Sequence, residues 1–320
     1  GSLHRSKYGW MTKMGGTAII GLGAMGQGMA RNIMQAGISL RGFDLSTAAR
    51  DRFAGAGGIA EESAVDAVSG CDLLLVMVAT AAQAEAALFD GVLDALAKDA
   101  VVILSSTVAP SEARAIAARL NDAGHLMLDA PVSGGQVGAD GGTLTIMASG
   151  PDTAFDRAEA VLAAISKKVH RLGDAPGMGA TYKVVHQLAA GVHLVAAAEL
   201  MAFGTKAGCD PKTLLDIVSS SAGQSWMLDD RAPRMMQTDP VPTSTVDIFI
   251  KDLGLVVQSA RDSGAPVPLA AAAYQMMVGA GGMGLGRSDD SAVIRAYEAL
   301  TGCRVTETEA EISATKDANT

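Results

Sequence analysis

The chain has 320 residues, which is more than one hydrophobic core usually supports, so about two domains are expected. Hydrophobic residues make up 49% and charged residues 18% of it, a composition typical of a compact α/β protein rather than a disordered or fibrous one. The 34 acidic and 25 basic side chains give a net charge of −9 without any basic stripe, which argues against a nucleic-acid partner. A small anionic substrate remains compatible with this charge, because one or two cations and backbone amides set the field of a binding site.

Cysteine usage and hydropathy indicate a cytoplasmic protein. The three cysteines are far apart and form no CxxC pair, so neither a disulfide nor a metal site is expected. Residues 188–204 come nearest to a membrane span, but they contain His193 and Glu199 and are interpreted as a buried helix, so no membrane partner is expected. Residues 1–14 and 303–320 are expected to be flexible tails, the latter because it is polar and lacks periodic apolar positions.

Short β-rich runs alternate with alanine-rich helical stretches in the first part of the chain. Strands are predicted at residues 17–20, 39–44, 73–78, 101–104 and 125–129, and helices such as 24–36 and 111–123 separate them. This spacing implies βαβ crossovers and a parallel sheet covered by helices on both faces. The predicted fold class is therefore α/β, with an N-terminal doubly wound sheet.

The pattern changes after residue 129. A glycine-rich loop at 133–142 is followed by a strand at 143–148, a helix at 151–165 and a last strand at 168–172. From residue 177 onward only helical patterns occur, at 180–207, 211–219, 246–263 and twice more toward Leu300. We predict two domains, an α/β domain at 15–176 and an all-α domain at 177–302.

A glycine motif marks the start of the first helix. Residues 21–26 have the pattern GxGxxG directly after a strand, and the three glycines are suited to a tight turn, to approach of a pyrophosphate, and to close packing of helix on strand. The sequence therefore predicts a Rossmann-type dinucleotide site. Its predicted residues at this turn are Gly21, Gly23, Ala24, Met25 and Gly26.

Asp44 lies at the end of the second predicted strand, near the spacing expected for the acid that binds the adenine ribose. A carboxylate there favours NAD, because it would repel the additional phosphate of NADP. Val78, at the end of the third strand, is also assigned to the cofactor site. Arg41 and Arg50 are interpreted as solvated surface residues. The alternative is a glycine turn followed by a helix-capping Asp44.

The run 129–135, Asp-Ala-Pro-Val-Ser-Gly-Gly, follows a strand at the edge where open α/β sheets bind ligands. The hydroxyl of Ser133 and backbone amides exposed by Gly134 and Gly135 are suited to bind a substrate carboxylate. A flexible loop is the alternative.

Lys183 stands in an otherwise apolar helix, with His186 and Gln187 on the same face. A lysine in a desolvated site has a lowered pKa and can exchange a proton with a substrate hydroxyl. The alternative is a lysine whose stem is buried while its ammonium reaches solvent.

Four motifs in this order resemble the 3-hydroxyisobutyrate dehydrogenase family over residues 17–300. They are the glycine turn with its later Asp, the DAPVSGG run, the GxGxxxK of 177–183, and the KDLGL of 251–255. The resemblance implies that Lys183 is the catalytic acid/base and that Ser133, Gly134 and Gly135 hold the substrate carboxylate. It also implies that Thr107 lines the cofactor and that Lys251 lies by the nicotinamide, although an ion pair with Asp247 is the alternative for Lys251.

The pair His186-Gln187 departs from the two asparagines that most of the family has, and resembles the L-threonate dehydrogenase branch. His186 and Gln187 are therefore predicted to bind substrate, and His193 is either a further polar contact or a core residue. The predicted function is NAD-dependent oxidation of a short hydroxy acid, with L-threonate as the specific expectation. Open alternatives are 2-hydroxy-3-oxopropionate reductase, 3-hydroxyisobutyrate dehydrogenase and a non-catalytic NAD-binding module. The apolar helices of the second domain predict a homodimer or homotetramer.

Overall fold

The computed structural model describes residues 15–306, so the first fourteen residues and the segment 307–320 of the predicted tails lie outside the described residues. The chain divides into two compact units between Thr181 and Tyr182. The α/β unit comes first and the helical unit second, as the sequence predicted. The division falls slightly later than residue 176, because the first turn of a long helix belongs to the α/β unit.

A six-stranded parallel sheet with strand order β3-β2-β1-β4-β5-β6 forms the centre of the α/β unit. Its inner strands are runs of Leu, Ile and Val that are buried on both faces, as expected for a sheet covered by helices on both sides. The edge strand β3 was not predicted from the sequence. The strands are β1 (Gly16–Ile20), β2 (Leu40–Phe43), β3 (Ile59–Ala60), β4 (Cys71–Val76), β5 (Val101–Leu104) and β6 (Leu126–Asp129).

Helices cover both faces of this sheet and create two hydrophobic cores. One core is centred on Ile19, Met29 and Phe53, and the other on Leu74, Val102 and Ile116. The crossover helices are α1 (Ala24–Gln35), α2 (Thr47–Gly55), α3 (Ala64–Val68), α4 (Ala81–Leu88), α5 (Val92–Ala95) and α6 (Pro110–Asp122).

A second, three-stranded sheet follows, in which β7 (Val132–Ser133) pairs antiparallel and β9 (Ser166–Arg171) parallel with β8 (Leu144–Ala148). Helix α8 (Asp152–Ile165) connects β8 to β9.

The predicted loop 133–142 is wrong in part, because it contains helix α7 (Gly135–Gly141). A Cβ on Gly28 of α1 would lie 2.8 Å from the carbonyl carbon of Ala139, so the two helices approach closely. The side-chain amide of Asn32 on α1 also donates to the carbonyl oxygen of Ala139 at 2.8 Å. Packing against α1 therefore stabilises a helix that its three glycines disfavour.

The helical unit is built around α9 (Met178–Lys206). By length and composition this helix would be able to cross a membrane, but a core helix of a soluble protein has the same properties, and Leu194, Ala198 and Met201 are fully buried in the second unit's core. The other helices are α10 (Pro211–Ser219), α11 (Trp226–Met235), α12 (Val246–Ser263), α13 (Pro268–Ala280) and α14 (Val293–Thr301).

Buried ion pairs connect α11, which was not predicted, to a 3₁₀ turn at Asp290–Ala292. Arg231 donates to Asp290 at 2.7 Å, and Arg234 donates to Asp289 at 2.8 Å. The prediction that the tail starts at residue 303 is wrong for Val305, which is 3% exposed and donates its amide to Glu298.

Candidate active site

The turn between β1 and α1 depends on two glycines. Gly21 has φ +98°, and a Cβ there would lie 2.1 Å from the carbonyl oxygen of Met77. A Cβ on Gly26 would lie 2.1 Å from the carbonyl oxygen of Gly21. The first glycine thus permits the left-handed backbone of the turn, and the third permits α1 to pack closely upon it.

The second glycine faces open space, since a Cβ on Gly23 meets no atom within 4 Å. No side chain caps α1, and no acidic side chain lies in its first turn, which contains Ala24 and Met25. The first amides of a helix have no partner inside it, and the helix dipole adds positive partial charge there. These features fit a dinucleotide whose pyrophosphate binds at the N-terminus of α1.

Asp44 is joined to this turn by its side chain. One carboxylate oxygen accepts from the backbone amide of Leu22 at 2.8 Å, and the other accepts from the amide of Ser46 at 2.8 Å. Each oxygen retains accepting capacity for a ribose hydroxyl. Asp44 therefore holds the glycine turn in place and fits the predicted role in binding the adenine ribose of NAD.

Arg41 and Arg50 were expected to be solvated surface residues, and this expectation is wrong because both side chains have partners in the protein. Arg50 donates to the backbone carbonyl oxygen of Asp44 at 2.8 Å. Arg41 is paired with Glu61 at 3.3 Å and donates to the carbonyl oxygen of Ser69 at 2.8 Å. Both guanidinium groups thus stabilise loops of the α/β unit.

The remaining predicted cofactor residues of this unit lie at the same sheet edge. The glycine turn follows β1, Asp44 follows β2, Val78 follows β4 and Thr107 follows β5, with the strand order reversing between β1 and β4. The amide of Val78 donates to Ser106 Oγ at 3.1 Å, which joins two of these strand ends. Ligands of open α/β sheets bind at such a reversal.

The predicted carboxylate-binding residues form the turn between β7 and α7. Gly134 has φ +135° and Gly135 has φ +62°, so the turn needs both glycines. Ser133, Gly134 and Gly135 are half-buried, at the positive end of α7. This ordered geometry replaces the alternative of a flexible loop.

Asp129, at the head of the same motif, has a function that the sequence did not indicate. It is fully buried, and one carboxylate oxygen accepts from the amides of Gly177 at 2.9 Å and Ala180 at 2.8 Å. Gly179 donates to Ser149 Oγ at 3.0 Å. Burial raises the pKa of Asp129, and the two amides oppose this rise. Asp129 and Ser149 together stabilise the start of α9.

Lys183 lies on α9 and is 6% exposed, which excludes the alternative of an ammonium reaching solvent. Burial lowers its pKa to about 8; Asp252 acts in the opposite direction, and the positive charge of Lys251 lowers the pKa further. Lys183 therefore has a neutral form, able to accept a proton, at a pH far closer to neutral than an ordinary lysine.

Four polar side chains of the helical unit form a connected chain. Lys251 Nζ lies 2.9 Å from Asp252 Oδ1, and Gln187 Nε2 donates to Asp252 Oδ2 at 2.7 Å. His186 Nδ1 lies 2.9 Å from Gln187 Oε1. The structure thus connects Lys251 to the pair His186 and Gln187, which the sequence had selected from a different motif.

Asp252 joins these residues and was missed, although it stands in the KDLGL run. It is 3% exposed, and a buried carboxylate requires partners of this kind. Its partner Gln187 lies 65 positions away in the sequence, so no local pattern connects the two. Lys251 is largely buried beside Asp252, whereas the alternative interpretation placed it on a solvated helix face.

His193 is exposed, which excludes the core position considered for it.

The sheet order, the glycine turn and Asp44 define a dinucleotide-binding protein of the Rossmann type, and the helical unit adds a buried lysine with a lowered pKa. Comparison with known families agrees. The NAD binding domain of 6-phosphogluconate dehydrogenase matches residues 17–173, and the NAD-binding domain of NADP-dependent 3-hydroxyisobutyrate dehydrogenase matches residues 177–297. The chain belongs to the 3-hydroxyisobutyrate dehydrogenase family and is an NAD-dependent oxidoreductase acting on CH–OH groups.

Several relatives are similar along nearly their whole length. An L-threonate dehydrogenase of Cupriavidus necator is 48% identical, over 88% of this chain and 96% of its own. An L-threonate dehydrogenase of Escherichia coli K12 is 45% identical, over 88% and 95%. A crystal structure described as 3-hydroxyisobutyrate dehydrogenase from Salmonella typhimurium is 44% identical, with a TM-score of 0.85 over 88% of this chain and 99% of that one.

Proposed function

We propose that the protein is an NAD-dependent dehydrogenase that oxidises L-threonate, with Lys183 as the acid/base. The observation that carries this proposal is the buried lysine whose pKa is lowered to about 8 by burial. The two bacterial L-threonate dehydrogenases at 48% and 45% identity support the substrate. The similar proteins include both L-threonate and 3-hydroxyisobutyrate dehydrogenases, so the hydroxy acid is tested directly.

In the oxidising direction, the neutral amine of Lys183 accepts the proton of the substrate hydroxyl while its C–O bond becomes C=O. The glycine turn and Asp44 would hold NAD, which would supply a hydride acceptor for the same carbon. In the reverse direction the ammonium of Lys183 returns the proton. A pKa near the working pH suits both directions, because each protonation state is populated.

The turn at Ser133, Gly134 and Gly135 is proposed to bind the substrate carboxylate. The Ser133 hydroxyl and the first amides of α7 are donors, and an anion at this helix end is favoured by the dipole. Thr107, Val78 and Lys251 are proposed to contact the cofactor. NAD is proposed to be preferred to NADP because of the carboxylate of Asp44.

Two properties of the whole protein are also proposed. The first is a cytoplasmic location, which fits the reduced cysteines and the soluble-enzyme character of the family. The second is a homodimer or homotetramer. Exposed apolar side chains on α9, such as Val185 at 67% and Phe203 at 72%, support burial against another subunit.

The first experiment is a steady-state assay of NADH production with L-threonate, D-erythronate, D-glycerate and 3-hydroxyisobutyrate, together with reduction of tartronate semialdehyde. We expect the highest kcat/KM with L-threonate. Lys183→Met should lower kcat by about 10²–10⁴-fold, as expected for loss of a general acid/base. Lys206→Met, on the same helix but exposed, is the matched control and should retain wild-type turnover.

The unfolding temperature of Lys183→Met shows whether a loss of activity comes from lost chemistry or from a lost fold. Since burial lowers the pKa of Lys183, the unfolded state binds more protons between about pH 8 and 10.5, and stability rises with pH across this window. Lys183→Met removes the cost of a buried ammonium, so at pH 7 it should unfold at a temperature no lower than the wild type. A folded and active Lys183→Met would contradict the acid/base assignment. If the wild type reduces tartronate semialdehyde with a higher kcat/KM than it oxidises L-threonate, L-threonate is not its substrate.

A further inference from the structure

Helix α7 is held at its C-terminal end by a side chain of α1. The last carbonyl groups of a helix have no partner inside it. In α7 the carbonyl oxygen of Gly138 accepts from the amide of Thr143 at 2.9 Å. The next two carbonyl oxygens, of Ala139 and Asp140, accept from Asn32 Nδ2 at 2.8 Å and 3.0 Å. Asn32 therefore completes the C-terminal cap of a helix that lies far from it in the sequence.

The surroundings of the Asn32 amide fix its orientation. Its nitrogen also donates to the carbonyl oxygen of Gly28, one turn earlier on α1, at 2.9 Å. All three neighbours are carbonyl oxygens, which only accept, so the nitrogen of the amide must face α7. An aspartate at this position would place a carboxylate against three acceptors. The position therefore requires a hydrogen-bond donor.

The conformation of α7 depends on the elements that it packs against. A Cβ on Gly28 of α1 would lie 2.6 Å from Asp140 Oδ1, and one on Gly138 would lie 3.1 Å from Cδ2 of the buried Leu144 on β8. Three glycines weaken α7, and a helix of this length is marginal in isolation. Arg31 pairs with Asp140 at 2.5 Å, but both side chains are about 40% exposed, so this ion pair contributes little. Asn32 supplies the stronger polar contact.

Helix α1 thereby connects two functional regions of the α/β unit. It begins at the glycine turn of the cofactor site, and Asn32 lies roughly two turns after Ala24, ~12 Å along the helix axis. Helix α7 directly follows the turn 133–135, which is proposed to bind the substrate carboxylate. A shift of α7 would displace this turn, whereas the glycine turn has its own contacts at the other end of α1.

We propose that Asn32 is a positioning residue for the substrate. By fixing the C-terminal end of α7 it fixes the turn 133–135, so the affinity for the hydroxy acid depends on Asn32 and the affinity for the cofactor does not. The inference rests on the proposed function, since it takes this turn to bind the carboxylate. It gives α1, the helix of the cofactor site, a second role in substrate binding.

Asn32→Leu tests the proposal in the full chain, because it keeps the size of the side chain and removes the donor. We expect KM for L-threonate to rise about tenfold, as for loss of a buried hydrogen-bond donor, with kcat changed less than about threefold. The Kd of NADH, from fluorescence titration, should change less than about twofold. Gln35→Leu, exposed on the same helix, is the matched control and should alter none of these values. An unchanged KM, or an equal rise in the Kd of NADH, overturns the inference.

Hydrogen exchange followed by mass spectrometry shows whether Asn32 acts through α7. In Asn32→Leu we expect peptides that cover residues 133–142 to exchange about tenfold faster, while peptides that cover residues 21–26 exchange as in the wild type. Unchanged exchange at 133–142 overturns the inference, because the substrate would then be lost by another route. Faster exchange throughout the α/β unit also overturns it, because it would show a general loss of stability.

Ser133→Ala separates this inference from the proposed function. If Ser133→Ala raises KM and Asn32→Leu does not, the carboxylate assignment stands and only the inference falls. If Asn32→Leu raises KM and Ser133→Ala does not, the inference stands and the Ser133 hydroxyl is not a substrate contact. If neither raises KM, both fall. If the wild type oxidises a hydroxy acid other than L-threonate, the proposed substrate falls and the same variants are measured on that acid. Should Asn32→Leu fail to fold, Asn32→Ser is measured in its place.

Discussion

The glycine turn of the α/β unit and the polar chain of the helical unit are built in opposite ways. The turn occupies six consecutive residues, and its function comes from the backbone: positive φ at Gly21, open space at Gly23 and amides at the start of α1. The polar chain is made of side chains, and its central contact joins Gln187 to Asp252, on two different helices.

This difference determines how each region responds to substitution. A backbone site depends on the absence of side chains, so an added methyl group acts through sterics. A side-chain site depends on charge and hydrogen bonding, so removal of one partner leaves another buried polar group unsatisfied. A backbone site can be recognised as a sequence motif, whereas a side-chain site can be recognised only once the helices that carry its residues have packed.

Alanine substitutions within the glycine turn should have separable consequences. Gly21→Ala requires a left-handed alanine and a backbone clash 2.1 Å from Met77, so we expect destabilisation of at least about 2 kcal/mol together with loss of NADH binding. Gly23→Ala adds a methyl group in open space and should keep the unfolding temperature within a few degrees while weakening NADH binding at least about tenfold. Thermal unfolding and NADH fluorescence titration measure the two effects. Equal destabilisation by both variants would contradict the assignment of Gly23 to the phosphate site.

Asp44→Ser should change cofactor choice with a smaller effect on stability. Repulsion between a carboxylate and a phosphate at ~4 Å is at most about 4 kcal/mol per charge pair, and solvent at the rim reduces it. We expect the ratio of kcat/KM for NAD over NADP to fall by roughly 10- to 100-fold. Asp51→Ser, exposed on α2, serves as the control. An unchanged ratio would exclude electrostatic selection by Asp44.

The pH dependence of oxidation should respond in opposite directions to the two charges of the polar chain. Activity rises with pH as Lys183, whose pKa is about 8, loses its proton. Asp252→Asn removes a charge that raises the pKa of Lys183, so the rising limb should move to lower pH; Lys251→Met removes a charge that lowers it, so the limb should move to higher pH. Shifts of about one pH unit or less are expected in kcat/KM profiles. Shifts in the same direction would contradict the electrostatic account.

Much of the α/β unit could be predicted from local patterns. Long apolar runs such as 101–104 are strands, and the alternation of strands with helices implies a parallel sheet. The strand Ile59–Ala60 escaped prediction because two residues carry no periodicity. Helix α7 escaped it because its glycines favour a loop, and only packing against α1 makes it helical.

The candidate site divides in the same manner. Lys183, Asp44 and the glycines were found because each stands in a recognisable spacing. Asp129 and Asp252 stand in equally recognisable runs, yet their roles were missed. Each acts on a partner far along the chain: Asp129 on the amides of Gly177 and Ala180, and Asp252 on Gln187.

The sequence by itself determined the fold class, the dinucleotide turn and the family, because these depend on hydrophobic periodicity and on residues close together in the chain. Tertiary structure alone decided which carboxylate lies near Lys183, how deeply that lysine is buried, and which side chain the amide of Gln187 contacts. Those properties depend on desolvation and on hydrogen bonds between helices, and both arise only when distant segments pack.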